Sequence, residues 1–140
     1  MIGHMTPSRV LESALYVTDL DRAEQFYGKV LGLEAAGKVA GRHVFFKCGD
    51  SIVLLFNAEA TRLPPASDAR LPVPPHGTEG HGHLCFAASE TEIDAWKERL
   101  AAHGVDIEAE FEWPRGGRSI YFRDPSGNSL EFANPSIWGL

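Results

Sequence analysis

The chain has 140 residues, 44% of them hydrophobic and 23% charged, with a formal net charge of −6. That suffices for one domain with a real core, and its thinly spread Lys and Arg exclude nucleic acid as the main partner, because phosphate binding needs a basic face. No apolar run reaches the length of a membrane span and no signal-peptide pattern opens the chain, so a cytoplasmic protein without membrane contact is expected.

Residues 1–9 show no periodicity and read as a tail; "GHM" before the second Met reads as a cloning remnant, and His4 carries no weight. "LESALYV" then reads as a strand. "TDLDRAEQFYGKVLGL" reads as a helix, with Thr18 or Asp19 as its N-cap and Leu20, Ala23, Phe26, Tyr27, Val30 and Leu31 on one face. Gly32 supplies the left-handed residue that ends it. "KVAGRHVFFKC" and "SIVLLFN" follow as strands around the turn "GD". Residues 58–80 are rich in Pro, Ala and Gly, have no period, and read as a linker or a lid.

The second half repeats the plan. "HLCFAA" is strand-like, and Ser89 with Glu92 makes a capping box. Ile93, Trp96, Lys97 and Leu100 form a helical stripe that Gly104 stops. "DIEAEFEW", "RSIYFRD" and "SLEFAN" are strands, the last two joined by the turn "DPSGN". Gly32 to Gly104 is a shift of 72, and Glu12 to His83 and Thr18 to Ser89 are each a shift of 71, so the halves are a repeat. The expected fold is α+β: two βαβββ modules, residues 10–57 and 81–135, within one domain spanning 10–135. Their strands are expected to pair into a curved, mixed, eight-stranded sheet enclosing a cavity.

Strand parity selects the candidate site. Alternate strand residues share a face. Glu12 shares its face with Ala14 and Tyr16, His83 with Cys85 and Ala87, and Glu131 with Ser129 and Ala133. In each strand one ionisable residue sits mainly among small neighbours, while larger apolar residues take the other face. A charged residue facing a cavity must find a partner, a cation or water. Of the remaining residues, His81 lies at the strand mouth, and His43 and His76 read as polar positions. Cys48 and Cys85 read as buried thiols of a reduced compartment. Arg115, Arg118 and Arg123 read as solvent-facing, although the glycines of "RGGR" can let a guanidinium approach an anionic substrate. Trp113 and Trp138 read as closing the core.

The doubled βαβββ pattern, with "ALYVTDLDRAEQFYGKVLGL", "GHLCFAA" and "YFRDPSGNSLEF", resembles the vicinal oxygen chelate superfamily over residues 10–135. That superfamily includes glyoxalase I, methylmalonyl-CoA epimerase, fosfomycin-inactivating thiol transferases, extradiol dioxygenases and bleomycin-binding proteins. The resemblance implies metal ligands at Glu12, seven residues before the capping Asp19, at His83 opening the second module, and at Glu131 after "DPSGN". One imidazole and two carboxylates suit Zn, Mn, Fe, Co or Ni, one divalent ion per site. The resemblance further implies a homodimer whose cavities are completed by pairing modules between subunits, with the apolar "SIWGL" end available for the contact.

Departures from the family pattern narrow the chemistry. The first ligand position is often His or Gln in the family, and here it is Glu12. The fourth glyoxalase I ligand falls in "SIVLLFN", where Leu54 or its neighbour stands, which argues against methylglyoxal–glutathione isomerisation. Fosfomycin thiol transferases carry Thr where this chain has Ala14. Extradiol dioxygenases use two His and one carboxylate. The implied function is a metal-dependent, glyoxalase-like enzyme that chelates a small oxygenated substrate and stabilises an enolate or alkoxide, of isomerase or lyase type rather than dioxygenase. Glu131 or Glu12 would serve as its base. The alternative is a metal-free small-molecule binding protein of the bleomycin-resistance type.

Overall fold

A computed structural model describes Gly3 and residues 5–140; His4 lies outside the described residues. The first module comprises strand β1 (Glu12–Tyr16), helix α1 (Leu20–Gln25), and strands β2 (Glu34–Val39), β3 (His43–Cys48) and β4 (Ser51–Phe56). A short helix, α2 (Ala58–Thr61), leads into the connecting segment. The second module comprises β5 (His83–Ala87), helix α3 (Glu90–Ala102), and β6 (Ala109–Glu112), β7 (Arg118–Arg123) and β8 (Ser129–Ala133). No helix among the described residues is long and apolar enough to cross a membrane.

Local chemistry explains the helix ends. Asp19, not Thr18, caps α1, its carboxylate accepting from the Arg22 N–H at 3.0 Å. The α-helical geometry stops at Gln25, and Phe26–Val30 continues as a π turn before Gly32, whose φ is +74°. Ser89 and Glu92 form the expected capping box at α3. "KVAGRHVFFKC" is not one strand. The chain turns at Gly41, where φ is +75°, and β2 begins earlier, at Glu34.

The strand orders are β1-β4-β3-β2 and β5-β8-β7-β6, the same order in each module, with only the β1–β4 and β5–β8 pairs parallel. The expected continuous eight-stranded sheet is corrected to two four-stranded sheets, neither of them closed. Where β1 and β5 approach, a side chain does the bridging. Asn128 Nδ2 donates to the Tyr16 carbonyl at 3.0 Å, and Asn128 Oδ1 accepts from the Gly82 N–H at 2.7 Å. The helix-covered faces instead merge in one core that includes Leu15, Tyr27, Phe46, Leu55, Ile93, Leu100, Ile120, Phe122 and Leu130.

Three expectations on burial are overturned. Trp113 and Trp138 are 37% and 80% exposed, because the segments after β6 and β8 run over the surface rather than into the core. Cys85 lies on the open face of β5 as an exposed residue whose thiol is partly covered beside Glu131, and Cys48 is partly buried; both are free thiols. Arg118 is drawn onto the protein, its side chain 14% exposed, by the carboxylates of Glu90, Asp94 and Glu110.

Tyr27 ties the modules together. Its hydroxyl donates to Asp124 Oδ2 at 2.7 Å from a fully buried ring, and burial first and Asp124 second push the phenol pKa upward, so it stays a donor. Asp124 also accepts from the backbone N–H groups of Ser126 and Asn128, which fixes the "DPSGN" turn. Tyr27→Phe is expected to cost about 1–2 kcal/mol, since one buried charge-assisted bond is lost while the other donors to Asp124 remain. Thermal and urea denaturation check this, and an unchanged midpoint would refute it.

Candidate active site

Glu131 sits mid-strand in β8, between buried Leu130 and Phe132, with its side chain only 7% exposed. Pairing with β7 sets Tyr121 directly opposite it, and pairing with β5 sets Cys85 alongside. The fully buried Ser119 hydroxyl donates to Glu131 Oε2 at 2.5 Å and accepts from Trp113 Nε1–H at 2.8 Å. This Trp113–Ser119 relay fixes one carboxylate oxygen and leaves Oε1 turned to His83.

His83 opens β5. Its Nδ1 lies 3.0 Å from the Ser129 carbonyl oxygen, which can only accept, so Nδ1 carries a proton. Nε2 lies 3.3 Å from Glu131 Oε1. In the neutral imidazole Nε2 holds a lone pair, so two electron-rich atoms face one another. That arrangement calls for a positive charge between or beside them, either a proton on His83 or a bound cation. Among the described residues the ion-pair partner of Glu131 is His83 alone. The neighbours are held neutral: burial, then Glu131, push the Cys85 thiol up to about 12 and the Tyr121 phenol upward. Tyr121 stacks at 6.2 Å on His83 and at 5.6 Å on Phe111, forming an aromatic wall.

Glu12 is exposed on β1 and belongs to a different face. It lines a cavity of about 580 Å³ on the first module, together with Ala14, Leu54, Phe56, Arg42 and His43. Leu54, paired with Ala14, faces this cavity, so an apolar side chain stands there. Val73 to His76 of the connecting segment cover one side, and Tyr16 Oη lies 2.7 Å from His76 Nδ1.

Within one chain, then, the sheet brings His83 and Glu131 together and leaves Glu12 apart. Among the described residues no three His, Cys, Asp or Glu side chains converge on a possible metal position. His81 packs over the "DPSGN" turn: a Cβ on Gly127 would lie 2.6 Å from its Nε2. The sequence alone singles out neither Ser119 and Tyr121 on one face nor Arg42 on the other, and it favours the core over a pocket wall for Trp113. Alternation in "RSIYFRD" puts Ser119 and Tyr121 on one side, but only the β7–β8 register shows that it is the side of Glu131.

The chain is similar to known proteins along nearly its whole length. A family model described as the glyoxalase/bleomycin resistance protein/dioxygenase superfamily matches residues 2–132. The crystal structure of a lactoylglutathione lyase from Agrobacterium tumefaciens is similar at a TM-score of 0.90 and 44% identity, covering 97% of this chain and all of that one. The metallothiol transferase FosB of Shouchella clausii is 31% identical over 136 residues, 93% of this chain and 77% of that protein. The glutathione transferase FosA of Serratia marcescens is 31% identical over 120 residues, 84% of this chain and 74% of that protein.

Proposed function

Because the chain belongs to the glyoxalase/bleomycin resistance protein/dioxygenase superfamily, we propose that it is a divalent-metal-dependent enzyme acting on a small oxygenated molecule, of lyase or isomerase type rather than dioxygenase. His83 and Glu131 of one subunit and Glu12 of a second copy hold the ion in a homodimer. The observation that carries this reading is the buried Glu131 carboxylate facing the lone-pair nitrogen of His83 at 3.3 Å. The donor chemistry fits a divalent ion of intermediate hardness: an imidazole oriented by a carbonyl, and carboxylates, one of them oriented by a hydroxyl. The relatives named metallothiol transferase and lactoylglutathione lyase add to it.

When bound, such an ion supplies Lewis acidity to neighbouring substrate oxygens. The chain does the rest. The Trp113–Ser119 relay holds Glu131 Oε2, so that Oε1 is free to bind or to take a proton. Tyr121 and Phe111 present an apolar, aromatic surface that keeps water from one side of the substrate. Glu131 or Glu12 is the base for a proton next to a carbonyl. Leu54 stands at the cavity face in place of a fourth ligand, which leaves more than one position for substrate oxygens.

The test is metal analysis of protein purified without chelators, followed by turnover of α-oxoaldehyde–thiol adducts, epoxides with thiols, and catechols. About one divalent ion per chain is expected, together with activity on a redox-neutral substrate that a chelator abolishes and metal restores. The separation of Glu12 from His83 within one chain favours a second reading, a metal-free binding protein. Metal-free protein whose ligand binding ignores chelators would establish that reading instead.

A further inference from the structure

The cavity of the first module contains a cation, Arg42, with no carboxylate in ion-pair contact among the described residues. Arg42 Nη1 donates to His43 Nδ1 at 2.7 Å, and its guanidinium carbon stands 5.8 Å over the Phe56 ring. A guanidinium cannot accept, so the remaining His43 proton is on Nε2. Burial first and Arg42 second pull the His43 pKa down, which keeps that ring neutral. Arg9, Arg62, Arg118 and Arg123 each have a carboxylate partner, while among the described residues Arg22, Arg70, Arg99 and Arg115 have none; Arg42 differs from these in both lining a cavity and standing over an aromatic ring. Among the described residues Arg42 has no carboxylate within 4.0 Å, although Glu12 shares its cavity.

The rest of the cavity is apolar where it faces Arg42's ring partner. Phe45 and Phe56 form the floor, and Val73 to Pro75 form a strap. The strap is held in place by the bond between Tyr16 Oη and His76 Nδ1, and by the His76 N–H donating to the Thr61 carbonyl at 3.0 Å. A half-buried guanidinium stacked on an aromatic ring, with N–H groups to spare, suits a planar oxyanion gripped in bidentate fashion. The strap and floor suit an apolar body attached to that anion.

We infer that Arg42 is the anion-recognition residue of this face, and that the substrate is a small organic acid whose carboxylate or phosphate oxygens sit on Arg42 while its apolar part lies between Phe56 and the Val73–Pro75 strap. This assignment deepens the function proposed for the chain and rests on the first-module face being half of the reaction site. Within "RGGR", Arg118 is held by three carboxylates and has no comparable freedom to take an anion.

The test compares phenylacetate, phenyl phosphate and the neutral phenylacetamide as probes, by ligand-observed NMR on the full-length purified protein. Wild type is expected to hold at least one of the acids about tenfold more tightly than the amide. Arg42→Gln should erase that preference while leaving amide binding unchanged, and Arg42→Lys should keep part of it. Equal binding of acids and amide by wild type, no binding of either acid at millimolar concentration, or an intact preference in Arg42→Gln would each overturn the assignment. Metal analysis of the same samples separates it from the metal-dependent reading. Metal-free protein with an Arg42-dependent preference sinks the metal enzyme and keeps the anion site.

Discussion

Glu131→Gln and His83→Ala are each expected to lower metal affinity at least about a hundredfold while leaving the fold intact. The amide of Gln is a neutral, poor ligand, yet its oxygen still accepts from Ser119, so no buried hydroxyl is orphaned. It also removes a buried negative charge whose ion-pair partner among the described residues is His83 alone. The apo variant should therefore melt at or slightly above the wild-type temperature, the usual trade between stability and a functional site. His83 is half exposed, so its truncation to Ala opens no large cavity. His81→Ala serves as the control, because His81 packs over Gly127 rather than beside Glu131, and it should keep most of the metal. Ser119→Ala should fall between, with a loss of about tenfold, because it frees Glu131 Oε2 without removing a ligand. Metal titration and melting curves on all four variants check the series. Equal metal content in wild type, Glu131→Gln and His83→Ala would reject the ligand assignment.

The local pattern of the sequence carries much of this site and little of its assembly. The alternation around Glu131 places its carboxylate opposite Leu130 and Phe132, and the structure buries those two in the core. The capping box at Ser89, the left-handed glycines and the 71-residue repeat were equally legible, because each depends on residues a few positions apart or on simple self-similarity. What was not legible depends on long-range pairing. Whether β1 and β5 join by a ladder or by the Asn128 side chain is decided at an edge, where the strand pattern is the same either way. Arg118 is covered by three acids, two on α3 and one on β6, so its own neighbours in sequence suggest solvent. Trp113 looks like a core residue by type, yet it serves as a donor to Ser119 at the rim of the site. Arg42 follows a glycine turn, which says loop, and only the folded hairpin places it over Phe56.

Mixing two inactive variants is expected to restore metal binding and activity to about a quarter of the wild-type level, and this tests where Glu12 belongs. In one chain Glu12 stands on the first-module face, away from His83 and Glu131, and both faces are open. In the proposed two-fold dimer the first-module face of each subunit would meet the second-module face of the other, twice by symmetry. Each site then takes Glu12 from one subunit and the His83–Glu131 pair from its partner. Glu12→Ala homodimers lack one ligand in both sites, and so do His83→Ala homodimers. In a mixed dimer one site has lost both ligands and the other has kept all three. Random reassortment makes about half the dimers mixed, each with one sound site of two, hence about a quarter overall. The two variants must be refolded or expressed together so that subunits exchange. If Glu12 instead reached the site within its own chain, every site in the mixture would lack a ligand and nothing would be regained. If Glu12→Ala alone kept full metal content, Glu12 would be a surface acid, and His83 and Glu131 would hold the ion with solvent and substrate as the remaining ligands.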